Sequence, residues 1–206
     1  MESPWLFTTS NSSKYARVEI SGTFNLLKCS RLEKLPNIHP KMKCLKKLYF
    51  SSSGIRELPS SLLYMTGLDE LSLNGCSELT NFLVKANKSQ MQKELKFSGP
   101  IGFLCLTELN LSGCVGIKAE LDSWMQPDYF PLLTYSNLDF TSIVTIPESI
   151  SRFTGLQYLS IRDCKKLRNI PRLPQSIRTV DAQNCYRLDP QSTSRLWNQV
   201  SLFLSL

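Results

Sequence analysis

The fold is decided by residues 45–59, which read Leu45-Lys-Lys-Leu48-Tyr-Phe50-Ser-Ser-Ser53-Gly-Ile55-Arg-Glu-Leu58-Pro59. An apolar spacing L-x-x-L-x-L is followed by a small polar residue and then by two more apolar positions and a proline. The last two apolar positions of the first motif alternate, as a short β-strand with one buried face requires. Because proline fixes φ and lacks an N–H, the closing Pro59 favours a 3₁₀ or irregular return over a long helix.

The motif recurs along the chain at intervals of about two dozen residues. The next copy, residues 68–82, carries Cys76 where the first carries Ser53, and both copies return 88 residues later at Leu133 and Leu156. Copies begin at residues 21, 45, 68, 106, 133, 156 and 177. A period of this length with L-x-x-L-x-L-x-x-[N/C] is the leucine-rich repeat. The sequence therefore predicts an α/β solenoid, a leucine-rich-repeat horseshoe with a parallel sheet on its concave side and short 3₁₀, helical or irregular returns on its convex side.

The spacing of the copies also predicts the domain organisation. Residues 21–190 are assigned to a solenoid of about seven repeats, with an insertion near 84–103 and an irregular segment at 118–131. That segment is either a protruding loop or a degenerate repeat packed on the solenoid, and we favour packing. Residues 1–20 are either disordered or a partial cap. Residues 191–206 are predicted to cap the last repeat, because its apolar edge must be covered.

One copy departs from the apolar pattern at an inward position. Ser136 occupies the place where the other copies have Leu48, Leu71, Leu109 or Leu159. We expect it to weaken its inter-repeat interface, because a small polar residue buries less apolar area.

Charge and composition narrow the class of protein. The net charge is +7, and residues 1–50 hold nine basic against three acidic residues. That basic region leaves binding to nucleic acid or to an anionic membrane as an alternative. No apolar run reaches the roughly 18–20 residues of a membrane span. An odd number of cysteines without a recognisable signal peptide points to reduced thiols in the cytoplasm or nucleus.

Catalytic and metal-binding patterns are absent from the sequence. The only histidine, His39, precedes Pro40 in a predicted return loop, and no G-x-S-x-G, GxGxxG or C-x-x-C motif occurs. A hydrolytic triad needs a base within reach of a nucleophile and a third group that orients it, and a single histidine beside a proline is more typical of a surface loop. Zinc sites usually show closely spaced ligands. Repeat phase accounts for the cysteines as small buried residues. We therefore predict no enzymatic activity, no catalytic residue, no cofactor and no metal site.

The C-terminal copy of the repeat contains the motif that is most specific to a known protein family. Residues 167–188 read Leu167-Arg-Asn-Ile170-Pro171-Arg-Leu173-Pro174-Gln-Ser176-Ile177-Arg-Thr-Val180-Asp-Ala182-Gln-Asn184-Cys185-Tyr-Arg-Leu188. This run resembles the closing repeat of plant intracellular TIR–nucleotide-binding–leucine-rich-repeat disease-resistance receptors. The chain lacks the G-x-x-x-x-G-K-[ST] phosphate loop, so it resembles only the C-terminal sensing part, as a fragment or a truncated product.

The resemblance implies a protein-recognition module of plant innate immunity. Its expected partners are a pathogen effector, a guarded host protein or the receptor's own nucleotide-binding domain, which the module would help to hold inactive. The alternatives left open are an intracellular adaptor or scaffold without an immune role, and a basic surface that binds nucleic acid or membrane.

Outward positions of the predicted strands provide the candidate binding face. Their charges are mixed rather than steadily basic, which argues against nucleic acid, and their tyrosines suit a protein partner. The candidate partner-binding residues are Lys46, Lys47, Tyr49, Asp69, Glu70, Asn74, Glu108, Asn110, Tyr135, Asn137, Tyr158, Arg162, Arg178 and Asp181.

Overall fold

The chain folds into a single sheet of short strands joined by compact returns. The computed structural model describes residues 17–18, 22–26, 30–35, 45–81, 102–117, 121, 125–199 and 201–203. Within these ranges nine strands lie side by side in chain order. They are β1 (Arg17–Val18), β2 (Thr23–Asn25), β3 (Lys47–Tyr49), β4 (Glu70–Ser72), β5 (Glu108–Asn110), β6 (Tyr135–Asn137), β7 (Tyr158–Ser160), β8 (Thr179–Asp181) and β9 (Ser201–Phe203).

The predicted parallel sheet is confirmed. β1 pairs antiparallel with β2, and every later neighbour pair is parallel. Strands β2 to β8 each begin two residues after a predicted copy start. The middle residue of each of these strands is buried, because alternation along a strand sends it to the core side. These central residues form one inward row of Phe24, Leu48, Leu71, Leu109, Ser136, Leu159 and Val180.

The predicted 3₁₀ returns are also confirmed. One 3₁₀ helix covers Ser60–Tyr64 after Pro59, and the equivalent one covers Glu148–Arg152 after Pro147. Both prolines have φ near their fixed value, at −67° and −64°. Proline at this position starts the turn without losing a donor that the helix would need. The returns bury Leu62 and Ile150 against the back of the strands.

The cysteine that follows β4, β5, β7 and β8 joins each repeat to the one before it. The Cys76 thiol donates to the Phe50 carbonyl at 2.7 Å, and the Cys185 thiol donates to the Ile161 carbonyl at 2.9 Å. Cys114 and Cys164 make the same contact with the repeat before them. All four thiols are buried, and each hydrogen bond gives a buried donor its partner across the inter-repeat interface.

The irregular segment packs against the solenoid where the structure describes it. Leu121, Met125 and Phe130 are buried, and the Phe130 ring stacks on Phe103 with ring centroids 5.3 Å apart. These contacts favour a degenerate repeat over a protruding loop. Most of the predicted insertion, together with His39, lies outside the described residues.

The C-terminal end carries a helix and a further strand. Helix α1 (Pro190–Gln199) buries Leu196, and the Ser192 hydroxyl accepts a hydrogen bond from the Ile170 amide at 2.9 Å. Asp189 caps the helix by accepting from the Ser192 amide at 2.8 Å. The sequence analysis predicted a tail over 191–206 but no strand there. β9 pairs with β8, which would otherwise present a free parallel edge.

Candidate functional site

The outward side of β3 to β8, with the residues that flank each strand, is named the sheet face. The register places Lys47, Glu70, Glu108, Tyr135, Tyr158 and Thr179 in one row across the six strands. A second row, two residues further along each strand, contains Tyr49, Ser72, Asn110, Asn137, Ser160 and Asp181. Adjacent members of a row stand one strand spacing apart, about 4.8 Å.

In the N-terminal part of the sheet face, the charged side chains form ion pairs with one another. Both the Lys47 ammonium and the Tyr49 hydroxyl donate to the Glu70 carboxylate. Burial alone would raise the pKa of Glu70, but these two hydrogen bonds outweigh it and the net pKa is lowered. Lys46 and Asp69 form a more exposed pair with an N–O distance of 3.4 Å. Glu70 on β4 and Asp69 just before it therefore already have cations.

The centre of the sheet face carries two stacked tyrosines. The rings of Tyr135 and Tyr158 lie 4.9 Å apart between centroids, with only 7° between their planes. Burial is the main cause of the raised pKa of Tyr135, and the negative charges of Asp139 and Glu108 add to it. Glu108 is the residue opposite Tyr135 on β5, and it is exposed. An acid and two aromatic rings thus stand in one row.

The C-terminal part of the sheet face contains a buried carboxylate network. The Asp139 carboxylate accepts from the Ser160 hydroxyl at 2.6 Å and from the Arg162 amide at 2.7 Å. The Arg162 guanidinium lies 3.7 Å from the Asp181 carboxylate. Asp139 and Asp181 are both only 8% exposed, so their hydrogen bonds offset the cost of burying charge.

Three candidate residues make local hydrogen bonds that end their strands. The side-chain oxygens of Asn110, Asn137 and Asp181 each accept the amide of the residue two positions on. Such turns satisfy a donor where the ladder stops. These side chains therefore have a structural role beside any contact with a partner.

The structure brings the predicted candidate residues together on the sheet face. Nine lie within strands, and Asp181 is buried whereas the others are half-buried or exposed. Lys46, Asp69 and Arg178 come just before their strands, and Asn74 and Arg162 come two residues after theirs. Their role in binding a partner stays a prediction.

The sequence analysis did not single out Phe140 beside this face. Its backbone is left-handed, with φ 57°, and 55% of it is exposed. The equivalent positions of the other described copies are Ser52, Gly75, Gly113, Asp163 and Asn184, all with positive φ. Glycine, aspartate and asparagine adopt this conformation at lower cost than phenylalanine. A bulky residue in a left-handed turn was the signal that could have revealed it.

The described part of the chain has no cluster of three or more histidine, cysteine or acidic side chains that could hold a metal ion. Nor does it include a helix long and apolar enough to cross a membrane.

The fold and the sheet face define a leucine-rich-repeat solenoid with a broad polar surface. No protein-family model matches the chain.

The chain is similar to plant disease-resistance proteins. It is 28% identical over 78% of its length to a disease resistance-like protein, DSC1, of Arabidopsis thaliana, and 30% identical over 72% to the disease resistance protein RPP2A of the same plant. It is 27% identical over 78% to the TMV resistance protein N of Nicotiana glutinosa. The predicted resemblance to the leucine-rich-repeat region of plant resistance proteins is thereby confirmed. The chain spans only 12%, 12% and 19% of the length of these three relatives.

Proposed function

We propose that this chain is a protein-recognition module of plant innate immunity and that the sheet face is its binding surface. The proposal rests chiefly on one observation. The six strands β3 to β8 place tyrosines, paired ions and amides side by side on an open surface, whereas their apolar residues all point to the core. A flat, polar face with aromatic anchors is suited to a protein partner.

The similarity to plant resistance proteins supports the immune role. In that role the sheet face would recognise a pathogen effector or a guarded host protein, and it would do so in the cytoplasm or nucleus. The same solenoid would also contact a nucleotide-binding domain and help to hold it inactive. No residue of the described part of the chain is assigned a catalytic step.

The experiment is a pulldown with the full chain from tissue challenged with a pathogen. Tyr49→Ala and Tyr158→Ala are expected to lose a partner that the unchanged chain retains, since each removes an aromatic side chain from the sheet face. Tyr186→Ala is the matched control, because Tyr186 is 70% exposed and follows the strand on a turn outside this face. Circular dichroism checks that all three variants stay folded.

Retention of the partner by both sheet-face variants would contradict the proposal. Loss of the partner in all three variants, with the fold retained, would contradict a binding surface confined to the sheet face. The autoinhibitory role has a separate test, in which a nucleotide-binding domain is co-expressed with and without this chain. An unchanged signalling output would count against that role.

A further inference from the structure

Glu108, at the centre of the sheet face, is an exposed acid. Glu70 has Lys47 as its cation, Asp69 has Lys46, and Asp181 has Arg162. Glu108 is exposed and has no ion pair within the part of the chain that the structure describes. Among the carboxylates of the sheet face, Glu108 is thus the exposed one without a cation in the described residues, whereas Asp139 is buried and satisfied by a hydroxyl and an amide.

The tyrosine pair next to Glu108 presents one ring face of Tyr135 toward β5. The two rings stack nearly parallel across adjacent strands, so the normal to each ring runs along the strand-to-strand direction. One side of the Tyr135 ring is covered by Tyr158. Its other side points to β5, where Glu108 is the neighbour in register. A group above Glu108 would contact a π face and a carboxylate at once.

We infer that Glu108, Tyr135 and Tyr158 form a binding site for an arginine side chain of the partner protein. The inference rests on the proposed function of the sheet face and names the chemistry of its partner. The guanidinium stacks on the β5-facing side of Tyr135 and donates two parallel hydrogen bonds to the Glu108 carboxylate. Arginine fits better than lysine, because its planar group both stacks on an aromatic ring and matches a carboxylate in two-point geometry.

The other charges around the site are compatible with a bound cation. Arg178 precedes β8, three strands from β5, at a distance of about 14 Å, which exceeds the screening length of roughly 8 Å at physiological salt. Lys47 is two strands away and is engaged with Glu70. Asp139 follows β6 by two residues and adds a second negative charge, bonded to the outward Ser160 hydroxyl.

The test uses the full 206-residue chain and a defined probe. The probe is the peptide acetyl-Gly-Arg-Gly-amide, with lysine and citrulline versions as comparisons. Citrulline keeps the shape of arginine and removes its charge. Binding is followed by NMR of the chain with isotope-labelled tyrosine rings, and the signals are assigned with Tyr→Phe variants.

The arginine peptide is expected to shift the Tyr135 and Tyr158 signals saturably. The citrulline peptide should bind several-fold more weakly, up to the about five-fold that corresponds to one exposed ion pair of about 1 kcal/mol. Glu108→Gln should weaken the arginine peptide by a similar factor. Glu78→Gln makes the same charge change at an exposed turn off the sheet face and should leave affinity unchanged. Tyr158→Phe retains the ring and should retain binding.

Equal affinity for arginine and citrulline peptides would overturn the inference. So would equal affinities of the Glu108→Gln and Glu78→Gln variants, or signal shifts confined to other tyrosines. These outcomes are separate from those of the partner pulldown. If Tyr49→Ala and Tyr158→Ala lose the partner but the chain does not bind the arginine peptide, only the arginine site is refuted. If both variants retain the partner, the proposed function is refuted.

Discussion

Replacing Ser136 with alanine is expected to stabilise the solenoid. Ser136 is fully buried, opposite Leu109 on one side and Leu159 on the other. Its hydroxyl is the only buried side-chain polar atom without a hydrogen-bond partner in the part of the chain that the structure describes. A buried hydroxyl without a partner costs about 1–3 kcal/mol, and alanine removes that oxygen without adding bulk.

The oxygen also makes some van der Waals contacts, which alanine loses. Each such contact contributes only about 0.1–0.2 kcal/mol, so a few of them offset part of the gain. The expected net effect of Ser136→Ala is therefore an increase of about 1–2 kcal/mol in the free energy of unfolding. This sign is unusual, since most buried substitutions destabilise.

Ser160→Ala is the matched control on the neighbouring strand. Ser160 is 2% exposed, and its hydroxyl donates to the Asp139 carboxylate at 2.6 Å. The same chemical change should there cost about 1.5–3 kcal/mol, because a hydrogen bond to a charged group is lost. The two serines are thus expected to respond with opposite signs.

Urea unfolding followed by circular dichroism measures both effects. The slope of free energy against urea must stay the same in the three proteins for the comparison to hold. If Ser136→Ala destabilised the chain by about 0.5 kcal/mol or more at constant slope, the hydroxyl would have a favourable partner and the reasoning would be refuted.

Three further predictions concern the backbone and the charges. Phe140→Gly should stabilise by about 1 kcal/mol because it relieves a left-handed φ of 57°, whereas Phe140→Ala, which retains a Cβ, should not; equal melting temperatures for both variants would contradict this. Gly116→Ala should destabilise by about 2 kcal/mol or more, since its Cβ would lie 2.4 Å from the Leu79 carbonyl oxygen, and Gly155→Ala, with a nearest approach of 3.3 Å, should cost clearly less in the same thermal melts. Glu70 has a lowered pKa in the folded state, so its contribution is present above its unfolded pKa of about 4.3 and is lost as pH falls through the folded value. Thermal melts at decreasing acid pH should therefore show a smaller loss of stability per pH unit for Glu70→Gln than for the unchanged chain. An identical pH dependence of stability in the two proteins would contradict the lowered pKa of Glu70.

The strand positions could be predicted because they depend on local pattern. Each strand needs an inward residue flanked by outward ones, and the L-x-x-L-x-L spacing states that pattern directly. The turns could be predicted for the same reason, since Pro59 and Pro147 restrict φ and Cys76 is small enough to fit between repeats. The candidate face followed from the outward positions of the same motif.

Other features depend on what a neighbouring repeat provides. Phe140 is held in a left-handed turn, with its amide donating to the Arg162 carbonyl at 2.9 Å in the next repeat. β9 forms because β8 presents an edge that the tail can reach. The pairing of β9 with β8 is not visible in the residues themselves.

The sequence by itself determined the solenoid, because a repeated apolar spacing can bury its edge only against further copies of itself. It also determined which residues stand outward. Only the tertiary structure decided which outward residues interact. Register sets Tyr135 against Tyr158 and gives Glu70 its lysine, and it leaves Glu108 without a cation in the described part of the chain. These pairings join residues more than 20 positions apart, so they depend on the alignment of strands and not on any local pattern.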